Sequence, residues 1–391
     1  MTQPNEEWIK AELAELRRNA LERTVPARLG TGGRIKSESG VLLNFSSNDY
    51  LNLANDRRLI EAAGAAVDTG VGATASRLMA GSLQCHDELE KKLAVFKGYS
   101  ASLVFGSGYL TNIGIIPALV GRGDTIYADK FVHASIVDGM ILSRARVRRF
   151  AHNNIKHLKK LLDERTDGKR RLVVTESVFS MDGDQAPLME IAETAAEGDA
   201  MTLVDEAHAI GMFGPNGSGL VRQYGLESSV NICMGTLSKA LGSYGGFVAC
   251  SDSLRALLVN RARSFIYSTA LPPMVIAAAG CAVGLLESKA CDGAPLVENA
   301  KMFRSRLQAA GLNTGSSASQ IVPVIIGSSS KTLAVARRLL EKGILAVAVR
   351  PPTVPTGTAR LRISITLAHT QEDLARTTDA IIDCARHEGI I

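Results

Sequence analysis

The sequence predicts an α/β protein, with a mostly parallel, doubly wound sheet in a large domain and a smaller α+β domain at the C-terminal end. Three observations carry that expectation. From about Leu103, short β-rich runs (Ser102 to Phe105, Thr125 to Ala128, Leu172 to Thr175, Met201 to Val204, Asn231 to Met234, Gly246 to Ala249) alternate with helix-like stretches such as Asn154 to Glu164 and Pro187 to Glu197. Hydrophobic residues make up 46% and charged residues 21% of the chain, and 36 glycines supply turns, a balance that excludes disorder. After Pro272-Pro273 the pattern changes: a small-residue helix, Met274 to Leu286, leads into helix-like Ala300 to Ala310, strand Ile321 to Ile326, helix Lys331 to Lys342, strands Ile344 to Val349 and Arg360 to Thr366, and a last helix. With 391 residues the chain is too long for one small core. The expected divisions are an N-terminal arm over 1–45, a large domain over 46–276 and a small domain over 277–391.

The N-terminal arm opens on an amphipathic helix, since Ile9, Leu13, Leu16 and Leu21 recur at helical spacing between Trp8 and Leu21. Val41 to Phe45 follows as a short strand, then Ser46-Ser-Asn-Asp49-Tyr as a polar loop. Leu59 to Val67 is helix-like, so the loose GxGxxA pattern at Gly70-Val-Gly72-Ala-Thr-Ala75 lacks the preceding strand that dinucleotide binding needs. GxxxxGK[ST], HExxH and GxSxG are absent, which removes the main support for nucleotide hydrolysis, zincin chemistry and an α/β-hydrolase elbow.

The net charge of +5 is modest, and apart from Arg144, Arg146, Arg148, Arg149 and the cluster Lys169, Arg170, Arg171 it is spread along the chain, unlike a nucleic-acid protein. Such clusters are solvated faces or contacts for an anionic ligand such as coenzyme A or a carrier protein. The six cysteines are scattered without a CxxC pair or metal-ligand spacing, as expected of reduced residues in a cytoplasmic protein with no metal site. Met1 to Lys10 is polar and acidic, and no apolar run of about 18 residues occurs, so neither secretion nor membrane insertion is expected.

In doubly wound sheets ligands bind outside the carboxyl ends of the strands, where Ser107, Asp205 and Thr236 all fall. Met234-Gly-Thr-Leu-Ser-Lys239-Ala-Leu-Gly-Ser-Tyr-Gly-Gly246 places a lysine at a strand exit among glycines and the hydroxyls of Thr236 and Ser238. A lysine that forms a Schiff base needs such a fixed site with phosphate donors nearby, although a surface lysine before a glycine turn fits too. Met201-Thr-Leu-Val-Asp205-Glu-Ala-His208 delivers an aspartate and a histidine to the same edge. Alone, a strand-end aspartate is more often a helix cap than a cofactor ligand; together with Lys239 it suggests a pyridoxal phosphate pocket. Phe105-Gly-Ser-Gly108-Tyr109 opens the helix-like run to Leu119, whose free N–H groups suit a phosphate. His133 could stack on an aromatic ring or simply pack. Period-two alternation sets Arg360 and Arg362 on one strand face, as a carboxylate clamp or as a solvated edge.

With these residues assembled, the chain resembles the α-oxoamine synthases over nearly its whole length. These are pyridoxal-phosphate enzymes of the aspartate aminotransferase fold (transferase fold type I) that condense an amino acid with an acyl thioester. Asn44-Phe-Ser-Ser-Asn-Asp-Tyr-Leu51, Val178-Phe-Ser180-Met-Asp-Gly-Asp184 and Arg350-Pro-Pro-Thr353-Val-Pro355 resemble the biotin-pathway branch of the family, whose substrates are L-alanine and a pimeloyl thioester on coenzyme A or an acyl carrier protein. The resemblance implies that Lys239 carries the cofactor, Asp205 holds its pyridine nitrogen and His133 stacks on the ring. Ser180 and His208 would face the ring hydroxyl, while Gly108, Tyr109 and Thr236 would hold the phosphate. Ser268 and Thr269 would reach the neighbour's phosphate across a homodimer interface. Arg362 would take the amino-acid carboxylate, with Asn48, Arg23 and Thr353 on the substrate side. One departure is Gly72-Ala-Thr-Ala-Ser-Arg77, where Thr74 and Ala75 stand in a stretch that is usually richer in glycine and would narrow the substrate entrance. Acetyl transfer to glycine is the nearest alternative, and a noncatalytic partner subunit an alternative of another class.

Overall fold

A computed structural model describes residues 6–37, 40–164 and 169–391, so the first half of the acidic stretch Met1 to Lys10 lies outside the described residues. In chain order the described strands are β1 (Arg34–Ser37), β2 (Gly40–Asn44), β3 (Ala101–Phe105), β4 (Thr125–Asp129), β5 (Arg146–Phe150), β6 (Arg171–Glu176), β7 (Met201–Asp205), β8 (Ile232–Thr236), β9 (Gly246–Cys250), β10 (Ile321–Gly327), β11 (Ile344–Leu345), β12 (Val347–Val349) and β13 (Ala359–Ser364). The chain forms two compact units. The larger holds Asn48–Ser180 and Asp184–Val297; the smaller gathers the chain up to Ser47, Met181–Gly183 and Glu298–Ile391.

These units divide the chain differently from the expected 1–45, 46–276 and 277–391. The arm is not a separate body, because β2 pairs with β1 and, in parallel, with β11. Pro272-Pro273 starts a helix, Pro273–Glu287, that stays with the larger unit. Its alanines and glycines let it lie close against the helices Arg57–Ala65 and Gln84–Lys97, and Lys92 Nζ donates to Gly280 O at 2.8 Å.

The larger unit is built on a seven-stranded sheet in the order β3-β9-β8-β7-β6-β4-β5. Strands β4 to β8 are mutually parallel, and β9 runs antiparallel to both β8 and β3, so β3 points the same way as the parallel set. Helices on the faces bury these strands, which explains their continuous apolar runs. Leu103, Ile115, Ile126, Val174, Leu203, Ile232 and Val248 meet in one core, and burying each such side chain contributes roughly 1.5–3 kcal/mol. The exception is β5, whose sequence Arg-Val-Arg-Arg-Phe gave no apolar run. It ends the sheet order among the described residues, where arginines discourage pairing with another chain. Both basic clusters have local partners: Arg148 pairs with Glu164, Arg170 with Asp124, and Arg171 donates to Leu162 O and Gly198 O.

In the smaller unit the expected strand Ile344 to Val349 splits. Ile344 and Leu345 pair with β2, whereas Val347 to Val349 pair with β13, and one straight strand could not serve both sheets. The second sheet runs β10-β13-β12 and puts β13 in the centre, so Arg360 and Arg362 are buried rather than on a solvated edge. The helix Glu7–Arg18 forms as its spacing predicts, yet Trp8, Ile9 and Leu13 remain exposed. Cys233, Cys250 and Cys384 are buried and the other three cysteines half-buried, all as free thiols. No described helix is long and apolar enough to cross a membrane.

Candidate active site

The site is assembled at the carboxyl ends of the parallel strands in the larger unit. Strand β7 ends at Asp205 beside Glu176 of β6 and Met234 of β8. Each oxygen of the buried Asp205 carboxylate is fixed: Oδ1 accepts from Ala207 N at 2.9 Å and Oδ2 from Asn112 Nδ2 at 2.9 Å. The next residue is anchored separately, since Glu206 is ion-paired with the fully buried Lys97 and accepts from Val221 N at 2.9 Å. This rigid turn presents His208, also buried.

Lys239 lies in a turn closed by Leu237 N to Gly245 O and Ser243 N to Leu237 O. Its Nζ is 3.0 Å from His208 Nε2, and His208 Nδ1 is 2.7 Å from Tyr50 Oη, which donates to Asn48 Oδ1 at 3.1 Å. Donor counting gives this row one consistent direction. Lys239 donates to Nε2, the ring carries its proton on Nδ1, and that proton goes to Tyr50.

A second row runs from Asp205 to His133. Asn112 Nδ2 also donates to Ser135 Oγ at 2.9 Å, and His133 Nδ1 accepts from Ser135 Oγ at 2.8 Å and from Ser135 N at 3.2 Å. His133 caps the helix Ala134–Ser143 while its ring stays open to solvent. Crowding on its inner side pulls its pKa below the ordinary imidazole value, partly opposed by the Asp205 carboxylate, and the two donors at Nδ1 fit that neutral ring. Glu176 sits between the rows, accepting the backbone N–H groups of His133 and Ser180. Burial, then the charge of Asp205, push its pKa well above the ordinary carboxyl value.

The helix Gly108–Leu119 starts against β8 and β9. A Cβ on Gly108 would lie 2.5 Å from Thr236 Cγ2, and one on Gly246 would lie 2.7 Å from Gly108 N, so only glycines allow this approach. Ser107 caps the helix by accepting from Leu110 N at 3.1 Å. Thr236 Oγ1 is buried at the end of β8 with no hydrogen-bond partner. Tyr109 is exposed and its hydroxyl donates to Asp138.

Lys239, His208, Asn48, Asp205, His133, Ser180, Thr236 and Gly108 therefore lie along one connected edge, with Tyr109 at its rim. Ser268 and Thr269 stand apart from these hydrogen-bonded rows within one chain: Ser268 Oγ lies 3.5 Å from Thr269 O, and Thr269 is bridged to Ser76. Within the smaller unit, Arg362 donates to Ser364 Oγ at 2.7 Å, and Arg23 Nη2 lies 3.4 Å from Thr353 Oγ1. Arg350 donates to Ala20 O and Glu22 O, which holds the chain leading to Arg23. Tyr50, Asn112 and Glu176 were not predicted as site residues. Glu176 carries the strand-end signal that identified Asp205, but Asn112 is a lone polar residue in an apolar helix, and only the tertiary structure shows what it touches.

The aminotransferase class I and II family model matches residues 41–381, and the chain belongs to that family. It is 44% identical over 389 residues to the 8-amino-7-oxononanoate synthase of Geobacter sulfurreducens, covering 98% of this chain and 99% of that one. The 8-amino-7-oxononanoate synthase of Geobacter metallireducens is 46% identical over 386 residues, covering 97% and 98%. Among solved structures, a serine palmitoyltransferase from S. paucimobilis with a bound PLP–myriocin aldimine superposes with a TM-score of 0.93 at 32% identity, covering 99% of this chain and 98% of that one.

Proposed function

We propose that this chain uses pyridoxal phosphate to condense L-alanine with a pimeloyl thioester, releasing carbon dioxide and the thiol carrier and forming 8-amino-7-oxononanoate for biotin biosynthesis. The observation that carries this reading is the set of groups at one sheet edge that pyridoxal phosphate would satisfy, in a chain 44% identical to an 8-amino-7-oxononanoate synthase over 98% of its length. The buried Asp205 carboxylate suits a pyridinium nitrogen, and Thr236 Oγ1 is an unpartnered donor beside a helix start that only glycine permits. Asp205 would hold the ring nitrogen, His133 the ring face, Ser180 and His208 the ring hydroxyl side, and Gly108, Tyr109 and Thr236 the phosphate. Bound there, the cofactor supplies an electron sink for the pair left on the substrate Cα.

The residues of the chain then move the protons. Lys239 takes the Cα proton of alanine, and its 3.0 Å contact with His208, continued to Tyr50, orients the amine and carries charge away from it. The Cα pair attacks the thioester carbonyl carbon and the thiolate departs. Loss of the carboxylate as carbon dioxide leaves a second pair on Cα, to which Lys239 returns a proton. Arg362 would take the alanine carboxylate and Arg23 with Thr353 the acyl side. A cytoplasmic homodimer in which Ser268 and Thr269 complete the neighbour's phosphate site completes the reading. Lys239→Ala abolishes multiple turnover on this account; retained turnover would overturn it.

A further inference from the structure

We propose that His152 is a positioning residue that locks the loop presenting His133 to the loop presenting Ser180. Its ring bridges two carboxylates, with Nδ1 2.9 Å from Asp129 Oδ1 and Nε2 2.8 Å from Asp184 Oδ2. Asp129 ends β4 and organises the four residues that follow. Its Oδ1 accepts from Phe131 N at 2.8 Å, and its backbone O accepts from Val132 N. His133 is the next residue. Asp184 closes the other loop: its O accepts from Phe179 N, and Val178 is bridged to Gln185 around Ser180.

The residue beside it reinforces the same join. Asn153 N donates to Asp129 Oδ2 at 2.8 Å, while Asn153 Nδ2 donates to Asp184 Oδ2 at 3.1 Å and Gln185 O at 3.1 Å. Asn153 adopts a φ of 52°, a left-handed conformation that asparagine tolerates better than most residues. Phe131 and Phe179, one from each loop, pack on the His152 ring at centroid distances of 4.7 and 4.4 Å.

Two buried carboxylates this close to one ring repel each other unless a cation stands between them. Only the imidazolium can donate from both nitrogens at once. Burial works against the charged ring, but the hydrogen bonds to Asp129 and Asp184 outweigh it and push the pKa up to about 10. His152 has no hydrogen bond to the Lys239 row or the Asp205 row, so it acts only through the two loops.

The proposal rests on the cofactor site described above, and two readouts separate the two claims. In His152→Phe the ring stays between Phe131 and Phe179 but both donors are lost. In the apoprotein, amide deuterium uptake should rise in residues 129–134 and 177–186 while uptake in 246–262 stays as in the wild type. Affinity for added pyridoxal phosphate, followed by its visible circular dichroism, should fall roughly tenfold or more, because the loops carrying His133 and Ser180 would no longer be preorganised and binding would have to order them. His152→Phe/Asp184→Asn should recover part of that loss by removing one of the facing carboxylates. His152→Asn, which keeps one donor, should fall between and serves if His152→Phe does not fold. Unchanged uptake in both loops, or uptake raised equally throughout, would overturn the proposal. A wild type that takes up no cofactor would instead defeat the cofactor reading, with the uptake comparison still deciding the role of His152.

Discussion

Thr236→Val should change stability and cofactor binding in opposite directions. In the apoprotein Thr236 Oγ1 is buried without a partner, a state that costs roughly 1–3 kcal/mol for a hydroxyl. Valine replaces that oxygen with a methyl of similar size and keeps the Cγ2 that faces Gly108, so no cavity opens and the desolvation cost disappears. The apoprotein should gain about 1 kcal/mol in urea unfolding. With pyridoxal phosphate the hydroxyl would donate to a charged oxygen, a bond worth roughly 1.5–3 kcal/mol, so the variant should bind the cofactor roughly 10- to 100-fold more weakly. Fluorescence titration of apoprotein gives the affinity, and Thr236→Ser, which keeps the hydroxyl, should bind near the wild-type level. A Thr236→Val protein with wild-type affinity, or one destabilised by more than about 2 kcal/mol, would refute the assignment of this hydroxyl to the phosphate.

Two further predictions follow from the backbone and the buried charges. The Glu176 pKa is raised in the folded protein, so the unfolded state ionises before the folded one, and stability is lost as pH rises above the ordinary carboxyl range. Glu176→Gln should remove that slope, so its stability relative to the wild type should increase as pH rises above the ordinary carboxyl range; parallel profiles would contradict the assignment. Thr74 is exposed and adopts a φ of 60°, which costs a β-branched residue roughly 1–2 kcal/mol. Thr74→Gly should therefore stabilise by about 0.5–1 kcal/mol after glycine's own entropy is counted, and a lower urea midpoint would show that the side chain is needed there.

Asp205, Thr236 and Gly108 could be placed from the sequence because each lies at the end of an apolar strand or the start of a helix, where local pattern fixes position, and Lys239 because it follows β8 in a glycine-rich turn. The doubly wound sheet was legible for the same reason, except at β5, whose arginines hide a strand that pairs on one side only. Tyr50, Asn112 and His152 were not legible. Tyr50 reaches His208 across 158 positions and Asn112 reaches Asp205 across 93, and nothing local marks either contact. The two compact units are not marked locally in the sequence, because Pro272-Pro273 leads into a helix that stays with the larger unit and β2 finds its parallel partner β11 some 300 residues away. The exposed-edge alternative for Arg362 failed because β12 covers the side of β13 that the sequence left open.

The most direct test of the central claim is product identification by mass spectrometry. Pyridoxal-phosphate-loaded protein is incubated with L-alanine and pimeloyl-CoA, and in parallel with glycine and acetyl-CoA, each beside Lys239→Ala. 8-Amino-7-oxononanoate should form from the first pair alone, with no product from the variant. Product from the glycine pair only, or equal product from wild type and Lys239→Ala, would contradict it.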